Sequence, residues 1–352
     1  MFTEPDFYRI IAGLEPLIAG LPFTLNGLGY NNLIFTSATL GTLRKSPNLS
    51  FRCILIEEPE AHLHPHLQLL LLSHLASQAC LEKDPVQIIV SSHSPILASQ
   101  APIDSVVAIH ESKTKTSAVS ISAIQMAEEA KDAVRLKKKL QRFLDATRAE
   151  LFFARRVLMV EGIAEALLLP VLATLAGGSL KKSAVTVVNT DGINFNAFLP
   201  FFGSGKLEIP VAVLTDGDAK TIGEEALPTA KGLKALESSI SNLHVEYGAI
   251  TFEHELARCP KMLELMLDAF ETLHPVTGKT LRTSIAAATS ADQKADIFYK
   301  QFKDTDVSKG SFAQELSLLL EPSTLKAEDI PEYIRKAFEF LGVIRSGGPV
   351  GS

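Results

Sequence analysis

The sequence predicts an α/β protein with two separate parallel sheets, the second extended by added helices. Three observations predict this. Short apolar strand-like runs recur with helical stretches between them, once in the first hundred residues and again after residue 154. The runs end in clustered carboxylates, and parallel strands carry their chemistry at their carboxyl ends. Beyond about Leu256 the apolar spacing becomes mostly helical, through Phe270, Ile285, Phe298 and Leu316 to Phe340.

The elements follow in order. Runs at 51–56 and 86–90 read as strands, with a helix over 65–81 between them, a βαβ pattern. Residues 120–153 read as helical and carry Lys131, Arg135, Lys137, Lys138, Lys139, Arg142 and Arg148. Such a charge run is ordinarily a solvated face, and a phosphate-contacting surface is the alternative. The second set runs strand 156–160, helix 165–175, strand 185–188, a helix-like stretch at 195–202, and strand 211–214. The glycine-rich residues 346–352 have the composition of a frayed tail.

At 352 residues, about two domains are expected, each able to bury a core. A content of 46% hydrophobic and 21% charged residues excludes a disordered or fibrous chain. The net charge of −6 gives no overall attraction to polyanions, so any nucleic-acid contact needs a local basic patch or metal ions. Cys53, Cys80 and Cys259 form no CxxC pair, which argues against a zinc knuckle or disulfide framework and fits a reducing cytoplasm. No apolar run is long enough to span a membrane, and Glu4 and Asp6 stand where a secretory signal would carry lysines.

In the first constellation, the strand ending at Ile56 runs into Glu57-Glu58-Pro59. One carboxylate there can hold a metal-bound water and the next can orient a nucleophilic water. A second strand ends at Ser91-Ser92-His93, where the imidazole could sense a terminal phosphate. With Leu25 to Asn32 upstream and Glu60 to Pro65 between, these residues resemble the carboxyl-terminal half of an ABC-type ATPase of the recombination-and-repair kind. The resemblance implies a signature loop at Asn26, Gly27 and Gly29, Walker B acids at Glu57 and Glu58, a D-loop at 60–65 and a switch histidine at His93. Glu57 departs from the usual aspartate. No GxxxxGK[ST] run is present, so the chain is not expected to hydrolyse ATP by itself. It is a portion of a longer protein, or a partner supplies the P-loop, or the activity has been lost. His62, His64 and His66 suggest zinc, but no further ligands accompany them.

In the second constellation, Glu161-Gly162 follows a strand and Glu165 lies one helical turn on, while Asp216-Gly217-Asp218 follows a later strand. If those strands are neighbours, four carboxylates converge. Clustered anions are stabilised by hard divalent cations such as Mg²⁺ or Mn²⁺. The pattern is that of a Toprim domain. An ABC half followed by Toprim resembles the OLD (overcoming lysogenization defect) nuclease family over roughly residues 20–320, and the motifs at 250–257 and 309–316 also match that family.

The resemblance implies that Glu161, Glu165, Asp216, Asp218 and Glu253 ligate two metals and that Lys309 neutralises the scissile phosphate, with Glu161, Asp216 and Lys309 catalytic. Glu255 competes with Glu253: on a strand the two would share a face, on a helix they would not. Asp191-Gly192 reads as a strand-ending turn. The implied organisation is an ATPase half at 1–115, a helical basic connector at 116–153, Toprim at 154–258, helices completing its site at 259–345, and a flexible tail. The expected function is a metal-dependent DNA endonuclease coupled to an ATPase module and acting as a homodimer, with ATP bound only if a Walker A segment comes from elsewhere. Bound metal and the 131–156 basic segment would together face DNA. The rivals are a non-catalytic recombination-mediator-like module and a topoisomerase- or primase-like enzyme, the latter weakened because the five tyrosines lie in no strand-passage module.

Overall fold

The computed structural model describes residues 17–18, 20–22, 25–45, 51–80, 86–111, 116–124 and 130–345. The readings of residues 1–10 and of the 346–352 tail lie outside them. The chain divides into two compact units, Met1–Ala101 and Pro102–Ser352.

The first unit contains α1 (Leu28–Lys45), β1 (Cys53–Glu57), α2 (Pro65–Ala79), β2 (Gln87–Ser91) and α3 (Pro95–Gln100). β1 and β2 pair in parallel from Cys53↔Gln87 to Glu57↔Ser91, as the βαβ pattern predicts. Leu40, Leu63, Leu71, Leu75 and Val86 form the core, against which Ile54, Ile56, Ile88 and Val90 pack. Because side chains alternate along a strand, Leu55 and Ile89 fall on the opposite face, where they are 74% and 46% exposed. His64 caps α2, its Nδ1 accepting the His66 amide, which gives one of the three histidines a structural task. A Cβ on Gly29 would lie 2.5 Å from the His62 carbonyl oxygen, so α1 can approach the 60–65 turn only with glycine there.

The second unit opens with an antiparallel pair that the sequence reading passed over, β3 (Val107–Glu111) and β4 (Thr116–Ser120). The helical stretch expected from residue 116 therefore starts later, with α4 (Ala130–Phe143). Next come β5 (Arg156–Val160), α5 (Ile163–Leu175), β6 (Val185–Asn189), β7 (Val211–Thr215), α6 (Pro228–Ala235) and β8 (Leu243–Tyr247). The stretch at 195–202 forms two 3₁₀ turns, Asn194–Ala197 and Leu199–Phe201, rather than a helix. Pro200, which has no amide hydrogen to donate, is the second residue of the second turn, where a missing donor costs nothing.

The four strands are all parallel, in the order β8-β7-β5-β6. β8 joins at the edge. Its sequence, Leu-His-Val-Glu-Tyr, alternates buried and partly exposed positions and lacks the continuous apolar run of a central strand. Every residue of β7 and the last four of β5 are buried, so the carboxyl ends of these neighbours deliver Glu161 and Asp216 side by side.

The remaining chain is helical: α7 (Phe252–Ala257), α8 (Pro260–Leu273), α9 (Pro275–Ala286), α10 (Ala291–Asp304), α11 (Lys309–Leu320) and α12 (Glu332–Phe340). α11 lies along α5, with Leu168, Leu169 and Leu172 in one buried cluster with Phe312, Leu316 and Leu320. The Phe302 and Phe312 rings meet edge to face at 4.9 Å. This packing holds the first turn of α11, with Lys309, beside the first turn of α5, with Glu165; a Cβ on Gly310 would rest 3.6 Å from Ile163. No helix among the described residues is long and apolar enough to cross a membrane.

Candidate active site

Glu161 follows the last residue of β5, and Gly162 then opens α5. Glu161 Oε1 accepts the Asp216 amide at 3.0 Å and the Thr215 hydroxyl. The ends of β5 and β7 are thus stitched together, and the acids after them are neighbours, as the sequence required. Asp216 in turn accepts the Phe252 amide on Oδ1 at 2.8 Å, which anchors the start of α7. Gly217 is obligatory: a Cβ there would come within 2.2 Å of the Gly248 carbonyl oxygen and 2.6 Å of that of Ala249. The loop after β8 can therefore close over the turn only above a residue without a side chain.

α7 is helical, so Glu253 and Glu255 diverge. Glu255 is satisfied: it accepts the Ala249 amide at 3.1 Å and pairs with Arg258 at 3.1 Å, and Arg258 also reaches Asp292 at 2.8 Å. Glu253 is 2% exposed; Lys309 Nζ lies 2.8 Å from its Oε1 as an ion pair, and its Oε2 has no hydrogen-bond partner. Leaving a buried carboxylate oxygen without a donor is costly, so Glu253, with Oε2 unpartnered, is the acid held in readiness and Glu255 the acid that holds the loop.

Electrostatics bind the set together. Burial pushes the Glu165 carboxyl up to about 7, its own backbone amide opposes this, repulsion from Glu253 and Glu161 adds to it, and Lys309 relieves it. Asp216 is raised well above the ordinary carboxylate range by burial, then by Glu161, Glu253 and Glu165. Burial alone would lower the Lys309 ammonium, but Glu253, Asp216 and Glu165 outweigh it and hold the group protonated. Four carboxylates and one lysine therefore share a single field. Among the described residues, however, no three Asp, Glu, His or Cys side chains close around a common point as they would around an ion. Lys309 is the cation that faces Glu253. The fit to a hard divalent ion rests on the all-oxygen donor set and on the unpartnered Oε2 of Glu253.

The structure does not bring Asp218 into this set. Its backbone turns at φ 52°, its amide donates to the Ile250 carbonyl, its side chain is exposed, and it is not among the leading charges acting on Asp216 or Glu165. Asp191 and Gly192 form a strand-ending turn, with the Gly192 amide donating to the Glu161 carbonyl at 2.7 Å. In the first unit Glu58 lies 3.6 Å from His93, both exposed, and Glu57 is exposed. Glu60 accepts from the Ser92 hydroxyl at 2.7 Å and the His93 amide at 3.0 Å. Asn26 and Gly27 precede α1, which carries Gly29.

Three residues escaped the sequence reading. Thr215, which bonds Glu161, was signalled only by its place before Asp216. His254 is fully buried, with Nε2 at 2.9 Å from Asp296 Oδ1, a pairing across 42 residues that no local pattern announces. Tyr333 on α12 is raised well above its usual range by burial and by Asp216, Glu255, Glu165 and Glu253, which places a phenol in the acids' field.

The comparisons with known proteins agree with this layout. Residues 152–218 match the family described as overcoming lysogenization defect protein-like, TOPRIM domain, and residues 19–98 match the AAA ATPase domain. The chain is similar to the "OLD nuclease" of Thermus scotoductus, 32% identical over 49% of this chain and 32% of that protein. It is also similar to "Endonuclease GajA" of Bacillus cereus, 24% identical over 91% of this chain and 54% of that protein. The chain thus spans about a third to a half of the length of these curated relatives. Among solved structures, the C-terminal region of the Burkholderia pseudomallei OLD protein matches 54% of this chain and 98% of its own, at 24% identity and a TM-score of 0.42. The resemblance to the OLD family, an ATPase region followed by a Toprim region, is borne out by the two family matches and by both curated relatives.

Proposed function

We propose that this chain is the nuclease-bearing part of a metal-dependent DNA endonuclease, coupled to an ATPase module that its first unit helps to form. The observation that carries the reading is the shared field of Glu161, Glu165, Asp216 and Glu253 around Lys309, at the carboxyl ends of neighbouring parallel strands. The names of the relatives, one a nuclease and one an endonuclease, support the same chemistry.

In this reading the four acids would hold Mg²⁺ or Mn²⁺. Bound divalent metal supplies an activated water and stabilises charge on the phosphate. The chain's own groups do the rest. Glu161 is oriented by Thr215 and the Asp216 amide, Asp216 is fixed by the Phe252 amide, and Lys309 places a permanent positive charge where a phosphate oxygen gains negative charge. Glu57, Glu58, His93, Asn26, Gly27 and Gly29 form a partial ATP site, completed by a Walker A segment from elsewhere. We assign the catalytic domain to 154–258 and its completing helices to 259–345, and expect a homodimer.

Relaxation of supercoiled plasmid with Mg²⁺ or Mn²⁺ tests the reading. The wild-type chain is expected to nick, and Asp216→Ala and Lys309→Ala to lose nicking while remaining folded. A folded chain that binds metal yet never cuts nucleic acid would overturn the nuclease reading in favour of a non-catalytic binding module.

A further inference from the structure

The basic connector sorts into two kinds of residue. Lys137 pairs with Asp104 at 2.5 Å, Lys139 donates to Asn194 Oδ1 at 2.6 Å, Arg148 donates to the Asn189 carbonyl at 2.7 Å, and Arg156 donates to the Ser183 carbonyl. These four charges are committed to the fold. On α4, Lys131, Arg135, Lys138 and Arg142 are exposed and, among the described residues, have no ion-pair or hydrogen-bond partner; Arg155, beyond the helix, is likewise exposed.

At about 100° per residue the four free cations fall within an arc of about 60° on α4, over a length of about 16 Å. The packed residues of the helix, Leu136 and Leu140 among them, lie on the other side, and Leu140 is fully buried. No acid is interleaved along the stripe; the helix's one acid, Asp132, lies in its first turn, where it complements the dipole. Like charges three and four positions apart repel along the whole stripe. A solvated helix face ordinarily mixes signs, and in a chain of net charge −6 this concentration is conspicuous.

The stripe is also tethered to the acid cluster. Lys139 holds Asn194, whose amide side chain donates to the Asp191 carbonyl at 2.7 Å, and the adjoining Gly192 amide donates to the Glu161 carbonyl. The helix is thus docked on the loop that borders the first acid. We propose that Lys131, Arg135, Lys138 and Arg142 form a rail that grips the phosphate backbone of duplex DNA and feeds it to the acid cluster. The stripe's length matches the axial rise of about five phosphates of one strand, at about 3.4 Å of duplex axis each. The proposal rests on the nuclease reading for the identity of the polyanion, while its geometry stands on α4.

The test is fluorescence anisotropy of a short labelled duplex with the full chain in EDTA, across a salt series. Replacing Lys131, Arg135, Lys138 and Arg142 with glutamine is expected to reduce the slope of log Kd against log salt by about three to four units. The control replaces exposed Lys181, Lys182, Lys279 and Lys300 with glutamine, an equal loss of charge, and is expected to keep the wild-type slope. Lys131→Gln with Lys138→Gln alone should remove about half of the effect, so the proposal stays testable if the fourfold variant folds poorly. An unchanged slope in the rail variants, or an equal loss in the control, overturns the rail. Tighter capture of an RNA of equal length overturns the choice of partner. Plasmid nicking separates the two readings: cutting with no rail effect removes the rail alone, whereas rail-dependent binding with no cutting removes the nuclease alone.

Discussion

The two units begin from the same written pattern, an apolar strand running into acids, and end in different physical states. In the first, β1 and β2 form a two-stranded sheet with Leu55 and Ile89 open on one face, and Glu57, Glu58 and His93 stand in solvent. In the second, β5 and β7 are buried on both faces, and burial together with the neighbouring acids raises the proton affinity of Glu165 and Asp216. Carboxylates become reactive equipment when the strands presenting them are enclosed.

The sharpest way to break this contrast is to remove the lysine that balances the enclosed acids. Lys309→Ala is expected to reduce metal-dependent plasmid nicking by about 10²–10³-fold, read as an initial rate. Core truncation should separate the units next. Leu158→Ala, at a fully buried position of β5, should cost about 2–5 kcal/mol in urea denaturation. Leu55→Ala on β1 should stay within about 0.5 kcal/mol.

Acidity gives the third comparison. Glu165 titrates near 7 when folded against 4.5 as its reference, so the folded state binds more protons between those values. Metal-free stability should therefore be greatest below about pH 4.5 for this group and fall as pH rises through 7, by on the order of 3 kcal/mol. Melting curves of the chain in EDTA should show the decline, and Glu165→Gln should flatten it. Smaller effects come from glycines. Gly217→Ala should cost about 1–3 kcal/mol, because its Cβ meets two backbone carbonyls. Gly41→Ala in α1, where a Cβ meets nothing within 4 Å, should stabilise by about 0.4–1 kcal/mol in the same melts.

Three of the second sheet's four strands, β5, β6 and β7, and the pairing of Glu161 with Asp216 were legible because buried parallel strands are near-continuous apolar runs and their carboxyl ends are where side chains meet. β8 was not, since an edge strand alternates like many surface segments, and β3 and β4 are similarly half exposed. The choice between Glu253 and Glu255 turned on helical geometry and on which acid found donors, which only coordinates supply. Asp218 was drawn in by its spacing from Asp216, but spacing cannot register the left-handed turn after Gly217. Tyr333 and the His254–Asp296 pair depend on contacts between distant elements, for which no local periodicity exists.

Calorimetric titration of the metal-free chain with Mn²⁺, repeated in buffers of different ionisation heat, tests most directly whether the enclosed acids are a metal centre. Wild-type chain should bind with proton release near pH 7, and Glu253→Gln and Asp216→Asn should each lose most of the heat and the proton signal. Absent binding, or binding that both variants retain unchanged, would contradict it.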